Sequence, residues 1–84
     1  MSKAAIQKQD HLTAQGNDLT LITPRQREIL IHLCNGRTNA EIARFLDLST
    51  KTVDAHRAAI MTRLRINSLA LLVRFAIRNK LIEA

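Results

Sequence analysis

The stretch NAEIARFLDLSTKTVDAHRA, residues 39–58, carries apolar residues at two helical phases on either side of a short break. Ile42, Ala43, Phe45 and Leu46 recur at helical spacing, which predicts a short helix with one buried stripe. Asp47-Leu48 turns the chain and Ser49 caps a second helix, whose inward side at a 3.6 period is Val53, His56 or Arg57, Ile60 and Leu64. Ala43 is small enough for the two helices to cross closely, and Leu46, Leu48 and Val53 fill the wedge between them. Asp47 stands where such turns often hold glycine, and Asp tolerates the left-handed conformation better than most residues. This is the pattern of a helix-turn-helix.

The flanks complete a bundle. Thr38 and Glu41 make a capping box for the first of these helices, and Asn35-Gly36 supplies a left-handed stop to the helix before it. That earlier helix opens at Thr23, with Pro24 at its first position and Gln26 closing another capping box. Its stripe is Ile29, Leu30, Leu33 and Cys34. Beyond the motif, Asn67-Ser68 breaks and recaps the chain, and Leu69, Leu72, Val73, Ala76 and Ile77 form the core stripe of a last helix. Leu71 and Phe75 lie on a different face of it, a surplus that Leu81-Ile82 could cover in part. The expectation is an all-α, four-helix domain with helices at about 24–35, 39–47, 50–64 and 69–79, occupying residues 23–84. Residues 1–22 are polar, with a turn signal at Gly16-Asn17-Asp18, and read as a linker or arm.

At 84 residues the chain is one small domain, with a core too modest for a sizeable enclosed ligand cavity. Its formal charge is +6, and residues 1–22 are neutral, so the whole excess falls in 23–84, where eleven basic residues face five acidic ones. A basic stripe on a packed domain points to a polyanionic partner, nucleic acid first. One cysteine, Cys34, precludes an intramolecular disulfide and reads as a small core residue, and no Cys/His cluster has metal spacing. No metal and no cofactor are expected. Nor is a membrane partner, because no apolar run approaches spanning length; the expected location is the cytoplasm. No Ser/His/Asp, Cys/His, paired-carboxylate or Gly-rich phosphate arrangement suggests an enzyme.

ITPRQREIL, GRTNAEIARFLDLSTKTVDAHRAAIMTRL and LVRFAIRNKLI resemble, in order and spacing, the C-terminal DNA-binding domain of the LuxR family of bacterial transcription regulators, over residues 22–82. The run NSLALLVRFA is most similar to the FixJ-like branch, the effector domains of two-component response regulators. The resemblance implies a domain bound to double-stranded DNA with its third helix in the major groove, a homodimer contact through the fourth, and a receiver domain and RNA polymerase as candidate partners. Three residues depart from the family pattern: Arg65 replaces its usual glycine, and Leu69 and Leu71 its common arginine and glutamate.

Base contact is expected from the outward side of the third helix near its N-terminal half, which gives Lys51, Asp54, Ala55 and Ala58. The last three fall at the family's base-reading places. Asp54 is placed either to accept from a cytosine amino group or to pair with Arg57 or Lys51 along the helix. Backbone contact is expected from Ser49, Thr50 and Thr52 at the positive helix end, with Ser49 also a cap, and from Lys51, Arg57 and Arg65. Asn39 could donate to a phosphate or support its own turn. Leu71, Phe75 and Arg78 are candidates for the dimer face, with Leu71 and Phe75 alternatively a further core edge. The competing function is a helical protein-interaction adaptor that does not read DNA.

Overall fold

The computed structural model describes residues 18–83. Most of the expected linker, residues 1–17, lies outside them. Among the described residues there are four α-helices and no strand: α1 Pro24–Cys34, α2 Asn39–Leu46, α3 Thr50–Leu64 and α4 Leu69–Arg78, preceded by a 3-10 turn at Leu19–Leu21. Each start agrees with the sequence reading, because caps are local chemistry. Thr23 Oγ1 accepts from the Gln26 N–H at 3.0 Å, while Gln26 Oε1 accepts from the Thr23 N–H at 3.1 Å. Thr38 and Glu41 repeat the reciprocal pair at 3.1 and 2.8 Å. Single caps, Ser49 to the Thr52 N–H at 3.0 Å and Ser68 to the Leu71 N–H at 3.2 Å, open α3 and α4. Losing one such cap costs about 1 kcal/mol.

All four helices end in one way. A left-handed residue reverses the chain, and the next N–H reaches back to a carbonyl of the last turn. The left-handed residues are Gly36, Asp47, Arg65 and Lys80, and the closing bonds are Arg37 N–H to His32 O, Leu48 N–H to Ala43 O, Ile66 N–H to Met61 O and Leu81 N–H to Ala76 O, all between 2.8 and 3.1 Å. Arg65 therefore makes the turn that glycine would make, at φ 57°.

α1 is the central helix and packs against the other three, while α2 and α3 pack on each other. Ile29, Leu30, Ile42, Val53, Ile60, Leu64, Leu72 and Phe75 are the largest fully buried side chains. Four expectations are corrected. Phe75, placed provisionally on a dimer face, is 1% exposed and belongs to the core, with Leu72 and Ala76. Leu69, expected in that core stripe, is 44% exposed at the start of α4. The reason is that the apolar residues of α4 extend around more than one side, leaving only Arg74 and Arg78 as a narrow polar edge, and contact with α1 selects Leu72, Phe75 and Ala76 for burial. Phe45, expected to be buried, is 62% exposed. α2 has only eight residues and buries Ile42 and Ala43 against α1 and α3, which turns Phe45 outward beneath the ring of His32 (centroids 5.2 Å apart) and the guanidinium of Arg37 (5.1 Å). Finally, the packed domain extends N-terminally of Thr23: Ile22 is in the core, and Leu19 and Leu21 pack against it.

Candidate nucleic-acid interface

α3 has one dry side and one wet side. Val53, Ile60 and Leu64 are buried, and Lys51, Asp54, Ala55, Ala58 and Thr62, lying together on the opposite side at helical spacing, are exposed. The four residues expected to meet base edges thus form one continuous stripe. Beyond Lys51 at its N-terminal end it carries only short side chains, so the helix axis can approach a flat surface or a groove floor closely.

The stripe begins at the N-terminus of α3, where Ser49, Thr50, Lys51 and Thr52 are all exposed. Ser49 Oγ accepts from the Thr52 N–H and donates its own proton to Thr52 Oγ1 at 2.9 Å, and the Val53 N–H is bound by the Ser49 carbonyl at 3.1 Å. The N–H groups of Thr50 and Lys51 precede the first intrahelical acceptor and point outward from the positive helix end. Ser49 is therefore a cap first, and Thr50, Lys51 and Thr52 carry the donors that an anionic oxygen would meet.

Asn39 has a partner that the sequence reading did not give it. Its side-chain Nδ2 donates to Asp54 Oδ1, tying the first residue of α2 to the second turn of α3. Asp54 is correspondingly bound across the helix pair rather than along its own helix to Lys51 or Arg57. The two residues lie fifteen apart in sequence, and no local pattern signals the bond.

The cations divide into two places. Arg57 is half-buried and, with Arg37, Thr38 and Asn39, lines a groove between α3 and the α1–α2 turn, beside the exposed Leu69. Arg65 lies at the far end of α3, about 24 Å along the axis from Ser49 at helical rise, and is not part of the first-turn cluster. Arg37 is the residue the structure adds: Gly36 reverses the chain and delivers it to this groove. On α4, Leu71 is 43% exposed and, with Arg74 and Arg78, borders a shallow groove floored by Ile66 and Phe75.

Cys34 is partly buried, its Sγ–H donating to the Leu72 carbonyl at 3.7 Å, and burial pushes the thiol up to about 11. It is a packing residue. Among the described residues no group of His, Cys, Asp and Glu could hold a metal ion, and no helix is long and apolar enough to cross a membrane.

Two helices crossing at a small residue, the second presenting an exposed stripe and an open positive end, define a helix-turn-helix nucleic-acid-binding domain. Residues 20–76 match the family described as "Bacterial regulatory proteins, luxR family", and the chain belongs to that family, as a DNA-binding domain of transcription regulation. It is 36% identical over 74 residues to the oxygen regulatory protein NreC of Staphylococcus epidermidis, covering 88% of this chain and 34% of that protein. Over 57 residues it is 47% identical to the uncharacterized response regulatory protein YgeK of Escherichia coli (68% of this chain, 39% of that one). The transcriptional regulatory protein FixJ of Bradyrhizobium diazoefficiens is 42% identical over 57 residues, 68% of this chain and 28% of FixJ. The chain therefore spans about a third of the length of these relatives. No solved structure matches it.

Proposed function

We propose that the chain is the effector domain of a bacterial response regulator and binds double-stranded DNA sequence-specifically as a dimer, with α3 in the major groove and α4 at the two-fold contact. The observation that carries this reading is the continuity of the exposed Lys51, Asp54, Ala55, Ala58 stripe with the outward N–H groups of Thr50 and Lys51. The first turn anchors phosphates and the stripe meets base edges. Similarity to NreC, YgeK and FixJ supports the response-regulator context, with a receiver domain as the regulating partner and RNA polymerase as the downstream one. The exposed Leu71 beside Arg74 and Arg78 supports the dimer face, whereas Phe75, sealed in the core, acts only as its floor.

Selection of bound duplexes from a random pool tests the proposal in one step. The expected product is a two-fold symmetric site with half-sites about one helical turn apart. Affinity for it should fall steeply with salt, since phosphate contacts release counterions. A flat salt response, or a pool with no enriched sequence, refutes it. Lys51→Glu separates the proposal from an adaptor that uses α4: a DNA reader loses binding, and an adaptor does not.

A further inference from the structure

We infer that Asn39 is a specificity-positioning residue: it holds the carboxylate of Asp54 as a directed acceptor for a cytosine amino group, although Asn39 itself meets no base. This rests on the proposed base contact of Asp54 and adds to it a residue on another helix.

The first step concerns what an isolated aspartate does on such a surface. Asp54 is exposed, and a free carboxylate on a helix surface samples several rotamers. Brought into a groove walled by phosphates it is repelled on both sides, so an unheld Asp54 turns away from the floor of the groove. The bond from Asn39 Nδ2 removes that freedom. It engages Oδ1 and leaves Oδ2 as the acceptor available to a ligand.

The second step is that Asn39 is itself held. It is the first residue of α2, half-buried, immediately after Thr38, whose capping box with Glu41 pins the start of that helix through bonds of 2.8 and 3.1 Å. The amide therefore acts from a rigid base, and the orientation of Asp54 is established before DNA arrives. An amide also orients the carboxylate without neutralising it, as an arginine at the same place would.

The third step selects the base. A carboxylate accepts and cannot donate, so it favours the major-groove donor with the fewest acceptors beside it. Cytosine N4 has one neighbouring acceptor, O6 of its paired guanine, whereas adenine N6 lies between its own N7 and O4 of the paired thymine, and guanine and thymine present only acceptors at this edge. Ala55 and Ala58 flank Asp54 with methyl groups, which let it approach and compete for no hydrogen bond.

The test compares the intact chain with Asp54→Ala, Asn39→Ala and the double variant, each checked for folding by its helical circular dichroism and thermal melt, in duplex selection followed by titration of the selected site against single base-pair changes. In the wild type, one half-site position should favour cytosine by about tenfold or more. Asp54→Ala should abolish that preference alone. Asn39→Ala should relax the same position and no other, and the double variant should lose no more than Asp54→Ala, since the two act as one unit. If Asn39→Ala does not fold, Asn39→Asp, which suits a first helical turn but repels Asp54, carries the comparison with the same expected loss.

Each contrary result overturns the inference at an identifiable point. A wild type that enriches no sequence overturns the DNA-reading function as well. An Asp54→Ala variant with an unchanged site overturns the base contact. A preference lost in Asp54→Ala but kept in Asn39→Ala overturns only the positioning role, as does an Asn39→Ala variant weakened equally on every sequence, which is the signature of a lost phosphate contact.

Discussion

Three residues other than glycine hold left-handed backbone, Asp47, Arg65 and Lys80, and they do not bear it equally. Aspartate bonds locally and tolerates the conformation, while a long side chain meets the following carbonyl at a cost of roughly 1–2 kcal/mol. Glycine removes that cost but gives back part of the gain through the entropy of the unfolded chain. Arg65→Gly is therefore expected to stabilise the domain by about 1 kcal/mol in urea denaturation, and Asp47→Gly by less. The same arginine change should weaken DNA binding and reduce the salt slope by about one if Arg65 meets a phosphate. Stability and affinity would then move in opposite directions, and a parallel fall in both would refute the account. Asp47 was legible in the sequence as a turn residue because its chemistry suits the turn. Arg65 was not, since nothing in its own chemistry favours φ 57° and only the Ile66 N–H to Met61 O closure demands it. Cys34 makes a second residue-scale prediction. Its thiol is raised from 9.0 to about 11 by burial, so folding disfavours the thiolate. The stabilising contribution is complete below the unfolded value and is lost as pH rises through that of the folded state. Alkylation at pH 8 should be much slower in the native protein than in denaturant, and Cys34→Ser should flatten the loss of melting temperature between pH 9 and 11.

At the scale of elements, α2 carries the decisions that matter for the interface. Its start is fixed by the Thr38–Glu41 box, and the Glu41 carboxyl is held below its ordinary value, first by the bond from the Thr38 backbone N–H, then by the Thr38 hydroxyl and the charges of Arg44 and Arg37. A depressed carboxyl contributes stability above its unfolded value and loses it as pH falls through the folded one. The melting temperature should accordingly drop on acidification through and below the ordinary glutamate range. Glu41→Gln should be less sensitive there, because glutamine closes the equivalent box at Gln26 without a charge to titrate. Equal acid sensitivity in the two proteins would place the titration elsewhere. Helix starts, stops and lengths were readable because each depends on neighbours within a few residues, as at Ser49 and Ser68. Rotation about the axis was not. Phe45 and Leu69 were expected inside and are exposed, and Phe75, left between a dimer face and a core edge, is sealed, because α2 and α4 carry more apolar positions than their packing faces can cover. α3 has a polar and an apolar side, and there the sequence pattern located the stripe residue by residue. The Asn39–Asp54 bond belongs to the unreadable class for a simpler reason: its partners meet only once both helices are packed.

For the whole molecule the charge excess and the surplus apolar surface point to different partners. Lys51 stands on the exposed stripe of α3, the side of the proposed DNA contact, with Arg57 in the groove beside it and Arg65 at the far end, while Leu71 with Arg74 and Arg78 opens on α4. A two-fold contact through α4 would set Leu71 of one copy against the same groove of the other and bury both. Cations already border that groove, so repulsion across the axis limits the contact and leaves the isolated domain weakly associated; two half-sites on one duplex then supply the effective concentration that closes the dimer. Leu71→Arg adds a like charge at the contact without disturbing the buried Leu72 and Phe75. Its melting temperature should change little, as for most surface substitutions, which fall within about 0.5 kcal/mol. Its affinity for a single half-site should match the wild type. Binding to the full symmetric site should lose its cooperativity, seen in a gel-shift titration as a singly occupied intermediate that the wild type does not accumulate. Should the variant fill both half-sites together, as the wild type is expected to, the two-fold contact lies elsewhere on the molecule, and the exposed leucines of α4 must be covered by a different partner.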